Sequence, residues 1–193
     1  MAGLVVMLGW VFDINILKGI LPIWPTMKVT TALCFFISGL SLIFIRQMLQ
    51  RRTDAAQLVL SAASFIILLI MLTFLVSAAA GIHTGLENFY IKNQGDVIMT
   101  TSPGRPSVGT MINFILIGMS GILVIFSREI SLNVLPKIGW IVTFIGLVAI
   151  LGYVLNFPLL YYSAEDVSLG MALHTAILFV MLGLGLVFTT RVK

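Results

Sequence analysis

Apolar and polar residues alternate along this chain in long blocks, not in the short periods of strands or amphipathic surface helices. Five apolar stretches, roughly 29–45, 58–81, 108–127, 137–156 and 170–190, reach the ~17–25 residues with which a helix crosses a bilayer. A sixth, Met1 to Phe12, is too short to span alone. It lacks the charged start and small-residue cleavage site of a signal peptide, so it counts as the first of six helices, either naturally short or lacking its first turns. The blocks predict an all-α integral membrane protein, a six-helix transmembrane bundle forming a single domain over residues 1–193.

Composition agrees. Sixty percent of the residues are apolar and 9% charged, with a mean hydropathy of +1.14, against about 25% charged in an ordinary soluble domain. This excludes a soluble globular enzyme, a disordered tail and a nucleic-acid-binding domain. The single cysteine, Cys34, excludes a disulfide framework and a cysteine-based zinc site.

The net charge of +4 is best read as topology. Arg46, Arg51 and Arg52, Arg128 and Lys137, and Arg191 and Lys193 fall in the loops 46–57 and 128–137 and the tail, on the side shared with both termini. With Asp54 and Glu129 that side carries +5. The opposite side holds Lys18, Lys28, Lys92 and Arg105 with Asp13, Glu87, Asp96, Glu165 and Asp166, a net −1. The Lys/Arg bias places both termini in the cytoplasm and the chain in the inner (plasma) membrane. Trp24, Phe89, Tyr90, Tyr161 and Tyr162 fall in the outer loops 13–28, 82–107 and 157–169, as belt aromatics do. Apolar residues in those loops predict short interfacial helices.

The chain also repeats itself. Thr31, Phe35 and Gly39 open the second helix as T-x-x-x-F-x-x-x-G; Thr110, Phe114 and Gly118 open the fourth, and Thr175, Phe179 and Gly183 the sixth. The helices before them end alike, in Leu8-Gly9-Trp10 and Leu151-Gly152-Tyr153, with Gly81 as a weaker middle copy. Asp13 and Asn156 align just beyond, as residues that cap or wet the helix ends. The repeat is a two-helix unit used three times in parallel, over about 1–50, 51–130 and 131–193. Positions i, i+4 and i+8 lie near one helix face. Glycine there lets a second backbone approach, and threonine in the first turn bonds locally or across helices. The stripes are packing devices, and a second reading has them converge on a ligand cleft near the outer leaflet. Mitochondrial carriers also triplicate a two-helix unit, but their Pro-x-Asp/Glu-x-x-Lys/Arg signature is missing here.

Leu8-Gly9-Trp10 with Asp13, then Met27 to Phe35 and Ser38-Gly39-Leu40-Ser41-Leu42, resembles the N-terminal membrane region of bacterial and archaeal sensor proteins. In those proteins a Pro-Gly-Arg-Met-Ser-Pro-x-Thr-Ala-Leu-x-Phe-like segment precedes PAS domains and a histidine kinase or diguanylate cyclase. Pro103-Gly104-Arg105-Pro106-Ser107 with Thr110, and Met171 to Ala176 with Phe179 and Gly185-Leu186, match the same segment. The resemblance implies a sensory input module of a two-component type chain, signalling through the last helix and dimeric through its parent. No kinase or cyclase motif lies within these residues, so no catalytic role falls on this segment.

Few residues could carry chemistry. His83 and His174 share a depth near the outer boundary. Two helix-borne imidazoles could ligate a haem iron or a metal ion, but the favoured reading is two interfacial histidines with no mutual contact. Glu87, with Asn88 beside it, could orient His83. Asn113, inside the fourth helix, predicts an interhelical hydrogen bond or a ligand contact. Cys34 and the ten methionines read as packing residues. No intramembrane carboxylate pair, His-Glu-x-x-His or G-x-S-x-G occurs, which argues against an enzyme.

Three function classes therefore stand. The first is a sensor whose partners are the bilayer and a small apolar or amphipathic ligand, touched by Thr31, Phe35, Thr110, Asn113, Phe114, Thr175, Phe179, His83 and His174, with no cofactor. The second is a haem- or metal-binding redox protein using His83 and His174. The third is a small transporter, disfavoured by a membrane interior nearly free of ionisable groups.

Overall fold

The computed structural model describes residues 2–12, 14, 26–82, 84–85, 105–155, 157 and 171–190. Among these the chain is all helical: α1 (Ala2–Val11), α2 (Val29–Gln50), α3 (Asp54–Ala80), α4 (Val108–Phe126), α5 (Arg128–Val154) and α6 (Leu173–Thr189). The helices α2 to α5 are long and apolar enough to cross a membrane; α1 and α6 are apolar but shorter, at 10 and 17 residues.

The helices turn tightly at the basic end. The sequence places polar loops at 46–57 and 128–137. Instead α2 continues to Gln50, α3 begins at Asp54 and α5 begins at Arg128, leaving residues 51–53 and Ser127 as the turns. The reason is local. Arg, Gln, Met and Leu are good helix formers whether or not they sit in hydrocarbon. What stops and restarts the backbone is capping: Thr53 accepts from Ala56 N and Ser127 from Ile130 N, both at 3.4 Å. Arg52 then donates to Ile125 O at 2.8 Å, so the first turn closes the C-terminal end of α4 with a cation, where the helix dipole favours one.

Every odd-numbered helix packs on even-numbered ones: α1 on α2, α3 on α2 and α4, and α5 on α4 and α6. The even helices meet one another on the inside. The distribution of polarity is that of a protein in lipid. Phe65, Phe126, Phe144 and Val76 project outward, whereas Ser38, Ser41, Ser64, Ser120, Thr143 and Asn113 are buried between helices. Three of these buried hydroxyls discharge onto their own helix: Ser41 to Ile37 O (3.0 Å), Ser120 to Leu116 O (2.9 Å) and Thr143 to Gly139 O (2.8 Å).

α5 and α6 cross with their backbones in close approach. A methyl group on Gly146 would lie 2.8 Å from Ala176 O, and one on Gly139 would lie 2.6 Å from Gly183 O. Only glycine lets backbones approach so far, the usual route to helix association without a hydrophobic driving force. Gly3 of α1 meets the Ala32 carbonyl and Phe36 N of α2 in the same manner.

Candidate functional site

The three T-x-x-x-F-x-x-x-G stripes fall in one register. Thr31, Thr110 and Thr175 are the third residues of α2, α4 and α6; Phe35, Phe114 and Phe179 are the seventh. Seven residues bring the ring about 9 Å below the helix start. All three rings meet there. Phe35 and Phe114 lie 4.8 Å apart between centroids at 66°, Phe35 and Phe179 4.7 Å at 51°, and Phe114 and Phe179 4.8 Å at 64°. The two pairs of Phe114 are edge-to-face, the positive edge of one ring meeting the negative face of the next, and the Phe35–Phe179 pair is tilted. The rings are in mutual contact and fill the space where the stripes converge. The threonines one turn above them are buried as well, and Thr110 Oγ1 bonds Ser107 Oγ at 2.8 Å.

The rim above the rings is tied by two matching bonds. Trp10 Nε1 donates to Met27 O at 2.9 Å, and the Tyr153 hydroxyl donates to Met171 O at 2.8 Å. The aromatic after Leu-Gly thus ties the end of an odd helix to the residue two before the next even helix. In the middle pair Ile82 holds that place, and its side chain has no donor to offer. There Arg105 reaches back instead, donating to Ile82 O and to Ser77 Oγ, each at 3.1 Å, while Ser77 Oγ itself donates to Ile82 O. The helix end it grips carries Gly81 at φ 66°, the left-handed conformation that closes many helices.

Asn113 departs from expectation. The sequence predicts an interhelical hydrogen bond, but the side chain is fully buried and neither its Nδ2 nor its Oδ1 has a partner among the described residues. It precedes Phe114 directly and lies one turn on from Gly109, where Met171 and Ile145 pack. An unpaired amide costs about 1–3 kcal/mol by mutational measures. Ser38 and Ser64 Oγ, Thr30 Oγ1 and His174 Nε2 are also buried without partners among the described residues. His174 sits in the first turn of α6, one residue before Thr175. His83, Glu87, Asn88, Asp13 and Asn156 lie outside the described residues, as do most of the outer loops with their aromatics.

Lys28 is the residue the sequence reading undervalued. Counted as a loop charge, it is buried at the N-cap position of α2, and desolvation pushes its ammonium down to about 8. A lysine directly before an apolar helix, at i, i+3, i+7 with Thr31 and Phe35, was the available signal. Cys34 is free and buried, as its packing role requires. Among the described residues no group of three or more His, Cys, Asp or Glu could hold a metal ion.

Comparison with protein-family models, with curated proteins and with solved structures gave no match.

Proposed function

We propose that the chain is a membrane-embedded sensory input module. In this reading it binds a small apolar or amphipathic ligand, or reads the state of the bilayer, near the Phe35–Phe114–Phe179 trio and signals through α6. The termini lie on the cytoplasmic side of the plasma membrane, the parent is a dimeric signalling chain of the histidine-kinase or cyclase type, and the bundle is a triplicated helix pair. Support for triplication comes from the shared register of the three stripes and the matching Trp10 and Tyr153 bonds.

The observation that carries the functional reading is Asn113: a fully buried amide without a partner among the described residues, next to a ring of the trio. A purely structural position would exchange it for leucine at a gain. A ligand-contacting position keeps it, because the bound ligand supplies the missing bonds and so favours one packing over another. α6 suits a relay. It meets the trio through Phe179 and is clasped to α5 backbone to backbone, so the two helices move as a pair.

Asn113→Leu is therefore expected to raise the melting temperature of the purified protein, by the equivalent of about 1–2 kcal/mol. It should also abolish stabilisation by compounds that shift the unaltered protein in a thermal-shift screen of small amphiphiles and lipids. If the leucine variant keeps every ligand shift, the sensor site is not here.

One observation favours haem or metal ligation instead: the buried, unpartnered Nε2 of His174. The test is the absorption spectrum after expression with haem supply. A Soret band that disappears in both His83→Ala and His174→Ala would replace the sensor reading.

A further inference from the structure

The pattern that aligns Gly39, Gly118 and Gly183 breaks at the first of them. A methyl on Gly183 would strike the α5 backbone, and one on Gly118 would meet Leu68 of α3 at 2.9 Å. On Gly39 it would meet nothing within 4 Å. Among the described residues, Gly3 of α1 meets α2 at Ala32 and Phe36, about one turn before Gly39.

A groove opens one turn further along. Leu42, Ile43 and Arg46 of α2 face Gly185, Phe188 and Thr189 of α6 around a cavity of about 310 Å³. The Leu42 side chain lies across Gly185 and forms the floor. The walls are apolar, and the Thr189 hydroxyl is already spent on Gly185 O at 2.6 Å. Arg46 is the charge in the lining. It is exposed and makes no hydrogen bond or ion pair among the described residues, unlike Arg52, which is held by α4.

We infer that this groove seats one anionic phospholipid, with an acyl chain along Leu42, Ile43 and Phe188 and the phosphate on Arg46. The lining spans about one helical turn next to the basic end, where phosphates lie. Basic pockets between membrane helices bind acidic headgroups by this combination of charge and apolar wall. A packed helix would cover Gly39 equally well but would leave the guanidinium against an apolar partner; a lipid brings the matching charge. The inference needs only that the bundle is embedded in a bilayer, and it stands or falls separately from the sensor reading.

The test uses the full chain in discs of equimolar phosphatidylcholine and phosphatidylglycerol, transferred to mild detergent, with retained lipid counted by native mass spectrometry. The unaltered protein is expected to keep about one phospholipid per chain, with phosphatidylglycerol favoured about fivefold, the effect of one interfacial arginine. Arg46→Gln should bring that preference to unity. Ile43→Trp, a substitution at an exposed position that fills the groove, should release the lipid without lowering the melting temperature. Equal retention of both lipids by the unaltered protein, or an unchanged preference in Arg46→Gln, would overturn the inference. So would a dimer that Ile43→Trp splits, since a second copy would then own the groove.

Discussion

Gly183→Ala is expected to destabilise the bundle severely, while the same change at Gly39 is neutral or stabilising. Both glycines are the eleventh residue of an even helix and the last letter of the same pattern. Their surroundings are opposite. A methyl on Gly183 would sit 2.5 Å from Gly139 O and 2.7 Å from Thr143 N, and it would also strike Thr143 Oγ1. Two of those atoms are backbone, and the third is fixed by its bond to Gly139 O. Nothing there can swing aside, so α5 and α6 must separate along the crossing. Overpacking costs about 1–3 kcal/mol even when side chains can yield, and this site lies at the upper end or beyond. At Gly39 the methyl meets open space, and alanine gains about 0.5–1 kcal/mol of helix propensity. The two variants carry the same propensity gain, so the difference between them isolates the contact. It should exceed about 2 kcal/mol in a detergent-unfolding titration. Equal shifts would mean that α5 and α6 do not cross at Gly139 and Gly183.

Much of this architecture was legible because membrane helices obey few rules. The apolar blocks found the helices, since a hydrocarbon slab imposes a length. The T-x-x-x-F-x-x-x-G stripes found the residues that meet at the centre, since i, i+4, i+8 spacing fixes a face and three equal registers fix a depth. The Leu-Gly-aromatic ends were visible as a pattern, but not as bonds. That Trp10 and Tyr153 donate to Met27 and Met171 depends on how the chain re-enters the membrane.

What escaped had a physical reason in each case. Hydropathy predicts loops where the helices extend through Arg46–Gln50 and Arg128–Lys137, because it measures the slab and not the backbone. Partners of Asn113 could not be read at all, because a lone amide shows its need for bonds and not whether neighbours meet it. Nor could the open space at Gly39 be seen, since it depends on the neighbours of α2 and not on α2 itself.

The second large effect is expected at the trio, and its signature is non-additivity. Phe114 is fully buried, and Phe114→Ala removes a ring that touches both others. Large-to-small aromatic changes in cores cost about 3–5 kcal/mol, part of it transfer from water and part cavity. In a bilayer the transfer part shrinks, since the separated helices also lie in lipid, and lost packing dominates. Each ring pair adds about 0.5–1.5 kcal/mol beyond area. Any single replacement among Phe35, Phe114 and Phe179 breaks two of the three pairs, but a second replacement breaks just one more. The pair contribution to the triple variant should therefore be half the sum of the three singles. Phe114→Leu should recover the cavity part and not the pair part. Double-mutant cycles on detergent unfolding read this directly. Independent costs at the three positions would mean that the rings share a depth without sharing contacts. The ligand reading would then lose its platform, because a group bound beside Asn113 would face three separate side chains instead of one that moves as a unit.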